Sequence, residues 1–517
     1  MKERHISLLL SCVVFLSLLP FSCSKDIDQP DPPAPLPDGI VFAEESLTVE
    51  NTGGDVVIRF TAGQPWLIGI PDQFERRSGA LNRERGEAGE AEVVFTAYPN
   101  VGAEARDVTF LVTAGRAEAR ITLYQEAVSL QLPSEDEVRK YLIRLFEDTD
   151  GPNWRSVSKK WGSDLPLNEW GPEVKYENGR LELILTERDL RGKVDLSGCK
   201  ALVSIRAAKN YVTEVDLSDC PLLEKVDFTN CGLEDIKLNG CHSLKELYLS
   251  YNNLKDLDIG WSTTLRYLNF SRCAVEAIDL SRCVSLEDIA CDNNRLRSLE
   301  IPHRQRLQSL WCYTNELVTL DVSGSPDLWV FNCSENEIES LDVGGCPKMR
   351  IFWCYQNRIS ELDITGMKEW LSQFVCYSNR LSSLDLGDYR MLSTLHCSDN
   401  SITDLNITGC CRLSELYCSH NRIKELDFTG IDTHILGTLD CSYNRLQRAD
   451  ITSLTYLKHL WCQGNRIGGE IPLWFDEFLQ DFEYDVRYDY RPEIDNYVDR
   501  GYGWWYPGEP EKGAHRR

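Results

Sequence analysis

The sequence predicts a parallel β-solenoid of short coils, preceded by a small all-β sandwich. Two observations point to the solenoid and one to the sandwich. An asparagine recurs at Asn210, Asn252, Asn294, Asn315, Asn336, Asn357, Asn379, Asn400, Asn421, Asn444 and Asn465, with Cys231 and Cys273 in the same slot. The steps are 21 residues, except 22 before Asn379 and 23 before Asn444. Around each slot runs the frame L-x-x-L-x-C-x-x-N-x-L-x-x-L-D-L-S-x-C, whose apolar residues alternate through a short strand and then a bend. Residues 40–127, by contrast, hold short strand-like runs split by Gly and Pro, with scarcely a helix signal.

The chain opens with "MKERHISLLLSCVVFLSLLPFSCSKD". Lys2 and Arg4 form a basic start, and Ile6 to Leu19 is an apolar run short for a membrane span and typical of a signal peptide. Its end, "LPFSC", resembles a bacterial lipobox with Cys23 as the lipidated residue. That resemblance implies a lipoprotein signal over 1–23 and membrane attachment only through the lipid, at the outer membrane with the chain on the cell surface. Residues 24–39 include five prolines between Pro30 and Pro37, a composition that favours an extended linker.

Candidate strands of the β region are Ser46–Glu50, Asp55–Phe60, Trp66–Ile70, Glu92–Ala97, Val108–Thr113 and Ala119–Gln125. The order "SLTVENTGGDVVIRF", "GQPWLIGI", "RDVTFLVTAGRAEARITLYQEA" resembles a BACON domain over 40–127. The resemblance implies a module of surface lipoproteins that binds carbohydrate or acts as a spacer. Trp66 is then a candidate sugar platform; the alternative is a core tryptophan.

A helix follows in "LPSEDEVRKYLIRLFEDTDGPNW". Ser134 with Glu137 has capping-box spacing, and Val138, Leu142, Leu145 and Phe146 share one face. Residues 133–180 resemble the N-terminal cap of leucine-rich repeat proteins, which covers the open end of the first coil. The periodic frame itself resembles leucine-rich repeats, and its cysteine variant resembles the cysteine-ladder repeats of internalin J. The resemblance implies an α/β-type leucine-rich repeat solenoid, with a curved parallel β-sheet and an irregular convex side, of about fourteen copies over 181–471. An imperfect first copy carries Arg188 in the asparagine slot, and residues 472–517 read as a C-terminal cap with an aromatic tail.

Within "LWCYTN", alternation turns Leu310 and Cys312 inward and Trp311 and Tyr313 outward, and Asn315 bonds backbone groups at the bend. The inward cysteine recurs at Cys291, Cys312, Cys333, Cys354, Cys376, Cys397, Cys418, Cys441 and Cys462. Earlier copies have Ala207, Phe228, Leu249 and Phe270 there, so it reads as an apolar filler. Cys199, Cys220, Cys241, Cys283, Cys346 and Cys410 form a second column at the far bend. Stacked side chains in register point the same way, which disfavours the disulfide torsion and predicts mostly free thiols.

The outward positions vary from copy to copy and supply the candidate ligand contacts of the concave face: Tyr248, Trp311, Tyr313, Trp353, Tyr355, Tyr377, His396, Tyr417 and Trp461. Exposed Trp and Tyr stack on sugars or anchor protein partners; the alternative is sideways packing along the sheet. Asp321, Asp342 and Asp363 read as a solvated outer column rather than a calcium site.

With 55 Lys+Arg against 81 Asp+Glu the net charge is -26, which argues against nucleic acid and against adsorption to anionic lipid. Eight scattered histidines and the lack of a nucleophile elbow, P-loop, HExxH or dinucleotide fingerprint leave no catalytic residue to name. No cofactor and no metal site are expected. The expected function is non-catalytic, adhesin-like binding of a host or dietary glycan or glycoprotein by a monomer. The alternative is a scaffold lipoprotein that docks a partner surface protein.

Overall fold

The computed structural model describes residues 39–465, except 52, 72–78, 99, 101–104, 127–131, 302–305, 450–453, 455 and 463. Cys23, its signal segment, residues 24–38 of the linker and the region 472–517 lie outside the described residues. The chain divides into two compact units, residues 1–132 and 133–517.

The first unit is built from β1 (Ile40–Phe42), β2 (Leu47–Val49), β3 (Gly54–Ala62), β4 (Trp66–Gly69), β5 (Gly79–Leu81), β6 (Arg85–Gly86), β7 (Gly89–Ala97), β8 (Arg106–Ala114) and β9 (Ala117–Gln125). One sheet runs β1-β3-β7-β5, the other β2-β9-β8-β4-β6. Alternation explains the pairing: Val56, Ile58, Phe60 and Ala62 of β3 turn inward, as do Val108, Phe110, Val112 and Ala114 of β8. Rings from the two sheets meet across this core, Phe95 on Phe110 at 4.8 Å and Phe60 on Trp66 at 4.9 Å, both edge to face. Trp66 is therefore a core residue, 3% exposed, and not a surface sugar platform. Its ring also covers Gly86, where an added Cβ would lie 2.4 Å from it.

The second unit opens with α1 (Glu135–Asp148), whose Ser134 and Glu137 form the reciprocal capping box. Val138, Leu142 and Leu145 are buried, and Trp154, Trp161 and Trp170 pack beyond them at ring distances of 5.1 and 5.4 Å. A fifteen-stranded sheet follows, from Val174–Glu177 to His459–Trp461. Its first pair is antiparallel and every later pair parallel, with consecutive coils in register: Leu310 opposite Phe331, Phe331 opposite Phe352. These central residues are fully buried, and Phe331, Phe352 and Phe374 stack face to face at 5.5 and 5.3 Å. Each such buried side chain contributes about 1.5–3 kcal/mol. Short strand pairs such as Thr319–Asp321 with Ser340–Asp342 line another side of the coils.

The bend after each sheet strand is held by the asparagine slot. In Asn315, Oδ1 accepts from the Leu296 N–H at 3.0 Å, while Nδ2 donates to the Cys291 and Cys312 carbonyls at 3.0 and 3.1 Å. Cys231 and Cys273 keep part of this pattern, their thiols donating to the Ala207 and Leu249 carbonyls at 3.1 and 3.3 Å. The second cysteine column makes the same kind of bond: Cys220 to the Leu196 carbonyl, Cys241 to Leu217, Cys346 to Val322. These thiols are thus backbone partners as well as fillers. All eighteen described cysteines are free.

The Asp column has a structural task. Asp321, Asp342 and Asp363 are exposed, and each carboxylate accepts the N–H two residues on, at 2.8–3.0 Å, which closes the turn beyond the strand. Among the described residues no group of three or more His, Cys, Asp or Glu could hold a metal ion. No described helix is long and apolar enough to cross a membrane.

Candidate functional site

Each sheet strand presents its first and third residues, and the residue after the inward cysteine, on the outer face of the sheet. The third-residue column runs Tyr248, Asn269, Ala290, Trp311, Asn332, Trp353, Val375, His396, Tyr417, Asp440, Trp461. Rungs lie about 4.8 Å apart, so rings on neighbouring coils touch.

The structure brings six of the nine candidates into contact. Trp311 meets Trp353 edge to face at 5.9 Å, spanning the coil between them. Tyr355 stacks on Tyr377 at 4.6 Å, Tyr377 on His396 at 4.4 Å, and His396 lies 5.2 Å from Tyr417. Trp353, Tyr355 and Val375 form a small cluster of their own, with Trp311, Ile351 and Tyr377 packed on it.

The nine side chains do not all stand open on the face. Trp353 and Tyr355 are only 4% and 5% exposed, and Tyr248 only 8%. Sideways packing covers the first two; the Lys225 ammonium lies 5.3 Å over the Tyr248 ring, whose hydroxyl donates to Glu246 at 3.2 Å. Trp311, Tyr377, His396 and Tyr417 remain half-exposed. Tyr313 and Trp461 are half-exposed but stand apart from the run: Tyr313 donates to Asp292, and Trp461 stacks on His459 at 5.9 Å.

One flank of the run is acidic. Trp311 Nε1 donates to Ser309 Oγ at 2.9 Å, and Ser309 in turn donates to Asp288. Burial, and the Glu287 carboxylate next to it, push the Asp288 carboxyl up to about 6. Glu287 itself is gripped by the Arg266 guanidinium, at 2.9 and 2.8 Å.

Two features escaped sequence reasoning. Asn332 and Ser334, beneath the tryptophans, are fully buried although they lie on the outward face. At the sheet's edge, Trp329 and Trp370 are 42% and 48% exposed, with the Arg350 guanidinium 5.2 Å from the Trp370 ring. A signal for Trp370 was present: it lies in the coil with the extra residue before Asn379, where Thr365–Met367 forms a short 3-10 turn.

Leucine-rich repeat family models match residues 240–259 and 456–478. The matched coils are leucine-rich repeats. The leucine-rich repeat solenoid has likenesses among solved structures. The functional domain of internalin J from Listeria monocytogenes, described as including a cysteine ladder, shares 23% identity over 56% of this chain and 64% of that one, with a TM-score of 0.46. A leucine-rich repeat protein of Leptospira interrogans shares 19% identity over 57% of this chain and 90% of its own (TM-score 0.46). The internalin InlF of Listeria monocytogenes shares 20% over 56% and 83% (TM-score 0.44). The chain thus spans less than two thirds of the internalin J domain. No curated protein matches it in sequence.

Proposed function

We propose that this leucine-rich repeat protein is a non-catalytic, adhesin-like binding protein that holds a glycan or glycoprotein on the concave face of its repeats. The observation that carries the reading is the run of touching rings Trp311–Trp353 and Tyr355–Tyr377–His396–Tyr417 on a single sheet face. Buried Trp353 and Tyr355 back the run, and a ligand meets the half-exposed rings of Trp311, Tyr377, His396 and Tyr417. Cys23 carries the lipid that tethers the chain to the outer membrane, and the BACON-like β unit serves as spacer.

The test is binding of residues 24–517 to an array of free glycans and glycoproteins, beside Trp311→Ala. Signal on free glycans that falls with Trp311→Ala supports the reading. Signal on proteins that persists after their glycans are removed, or no signal at all, overturns it. The second reading, a scaffold that docks a partner surface protein, is favoured by the exposed Trp329 and Trp370 around Arg350. A fixed protein partner that is lost with Trp370→Ala but kept with Trp311→Ala selects that reading.

A further inference from the structure

Three buried polar side chains lie on two neighbouring coils within the aromatic run. Asn332 lies in register between Trp311 and Trp353 on the neighbouring strands, and Ser334 follows two residues on. The two indoles meet at 5.9 Å across Asn332, and Asn332 and Ser334 are fully buried. Among the described residues, Asn332 Nδ2, Ser334 Oγ and Trp353 Nε1 find no hydrogen-bond partner. Each buried donor left so costs about 1–3 kcal/mol.

Sister coils do not have this arrangement. The hydroxyl of Ser442, equivalent to Ser334, donates to Asp440 at 2.7 Å; that of Ser271 donates to Asp292 at 2.5 Å. In the Asn332 coil only the turn bond is made, from the Ser334 N–H to Asn332 Oδ1 at 3.1 Å. The amide hydrogens, the indole N–H and the Ser334 hydroxyl are all left over.

We propose that this is a hydroxyl-binding subsite for a neutral saccharide, at the centre of the concave face. The inference rests on the glycan reading above and names its ligand class. A hydroxyl has one hydrogen to give and two lone pairs to accept with. It accepts from Asn332 Nδ2 and Trp353 Nε1 and donates to Ser334 Oγ. A water molecule satisfies the same groups in the free protein, and the sugar hydroxyl displaces it. Trp311, the half-exposed half of the roof, moves aside and stacks on the sugar ring. Trp311, Asn332, Ser334, Trp353, Tyr355 and Val375 are all neutral, and an acidic sugar would lose its hydration there without gaining a cation.

The test is calorimetric titration of the full chain in detergent with cellohexaose, xylohexaose, mannohexaose and trigalacturonate, beside three variants. Asn332→Asp keeps the turn acceptor, a residue the fold already accommodates at Asp227 and Asp440, but removes the donor. It should weaken binding of a neutral hexaose by about tenfold or more, and Ser334→Ala by about fivefold. Ser334→Ala keeps the proposal testable should Asn332→Asp fail to fold. If Trp311→Ala abolishes binding while Asn332→Asp and Ser334→Ala leave it unchanged, the subsite falls and the glycan reading stands. Binding of trigalacturonate alone overturns the neutral class. Binding of none of the four by the parent chain overturns the neutral-saccharide subsite, while the array decides the glycan reading.

Discussion

Asn357 and Cys333 join two successive coils: Asn357 Nδ2 donates to the Cys333 carbonyl at 3.0 Å. The same side chain accepts the Ile338 N–H at 2.9 Å and donates to the Cys354 carbonyl at 3.2 Å, all within a buried bend. Asn357→Ala strands all three backbone groups and should cost about 2–4 kcal/mol. Asn357→Cys, which can keep the bond to Cys333 as Cys231 does to Ala207, should cost less. Urea unfolding of the three chains measures the order; equal losses for Ala and Cys would refute it.

The residue before the slot is strained. Lys209, Tyr251, Thr314, Gln356, Ser378 and Tyr443 are left-handed there, with φ between 51° and 59°. The last copy has Gly464 at this place, φ 70°. Gln356 is exposed, so Gln356→Gly removes strain and little else. It should stabilise the solenoid by roughly 0.5–1 kcal/mol, after the entropy glycine adds to the unfolded chain. A lowered melting temperature would contradict this.

Thiol reactivity should separate one cysteine from the rest. Burial pushes the Cys397 thiol up to about 12 and those of Cys199 and Cys410 to about 11, and the ladder members Cys291, Cys312 and Cys376 well above the ordinary thiol range. Cys411 is exposed. Iodoacetamide at pH 8 should modify Cys411 first among the described cysteines, and the ladder only after denaturation. Peptide mass mapping reads the outcome, and early labelling of Cys312 or Cys354 would count against the buried ladder.

Asp288 should make stability depend on pH. Its folded carboxyl titrates near 6, above the ordinary carboxylate value of 3.8. Between those values the folded chain holds a proton that the unfolded chain has lost, so this group's contribution favours folding at low pH and is lost as pH rises through about 6. Asp288→Asn should therefore stabilise the protein by about 1 kcal/mol at pH 7.5, after allowance for partial solvent screening, and have little effect at pH 4. Parallel unfolding curves for both chains at the two pH values decide it.

Arg188 replaces asparagine in the first copy and lies 3.3 Å from Glu173, which is 1% exposed. Arg188→Ala leaves that carboxylate buried without its cation and should cost about 3 kcal/mol. Glu173→Gln with Arg188→Ala should recover part of the loss; no recovery would show that the pair acts through packing alone.

Much of the scaffold was legible because each coil repeats one local pattern. The slot at Asn315, the inward Leu310 and Cys312 and the capping box at Ser134 are short-range features, set by alternation and by hydrogen bonds a few residues or one coil away. The fate of the outward residues was less so. Trp311 and Trp353 read alike in sequence, yet one stays half-exposed and the other is covered. Trp66 reads equally as platform or core until a second sheet closes over it. Strands such as β5 and β6 escaped notice because Gly79–Leu81 and Arg85–Gly86 carry no alternation of their own and form by pairing with β7 and β4.

The sequence by itself determined the period, the inward columns and the turn chemistry of this protein, since all of these follow from which residues can be buried in a 21-residue coil. The tertiary structure alone decided what lies between the columns. Stacking coils about one strand spacing apart brought Trp311 to meet Trp353 across the Asn332 strand, gave the far-bend cysteines carbonyl partners one coil back, and left the Asn332 and Ser334 side chains fully buried. Contacts of that kind depend on the side chains of neighbouring coils, which no single repeat contains.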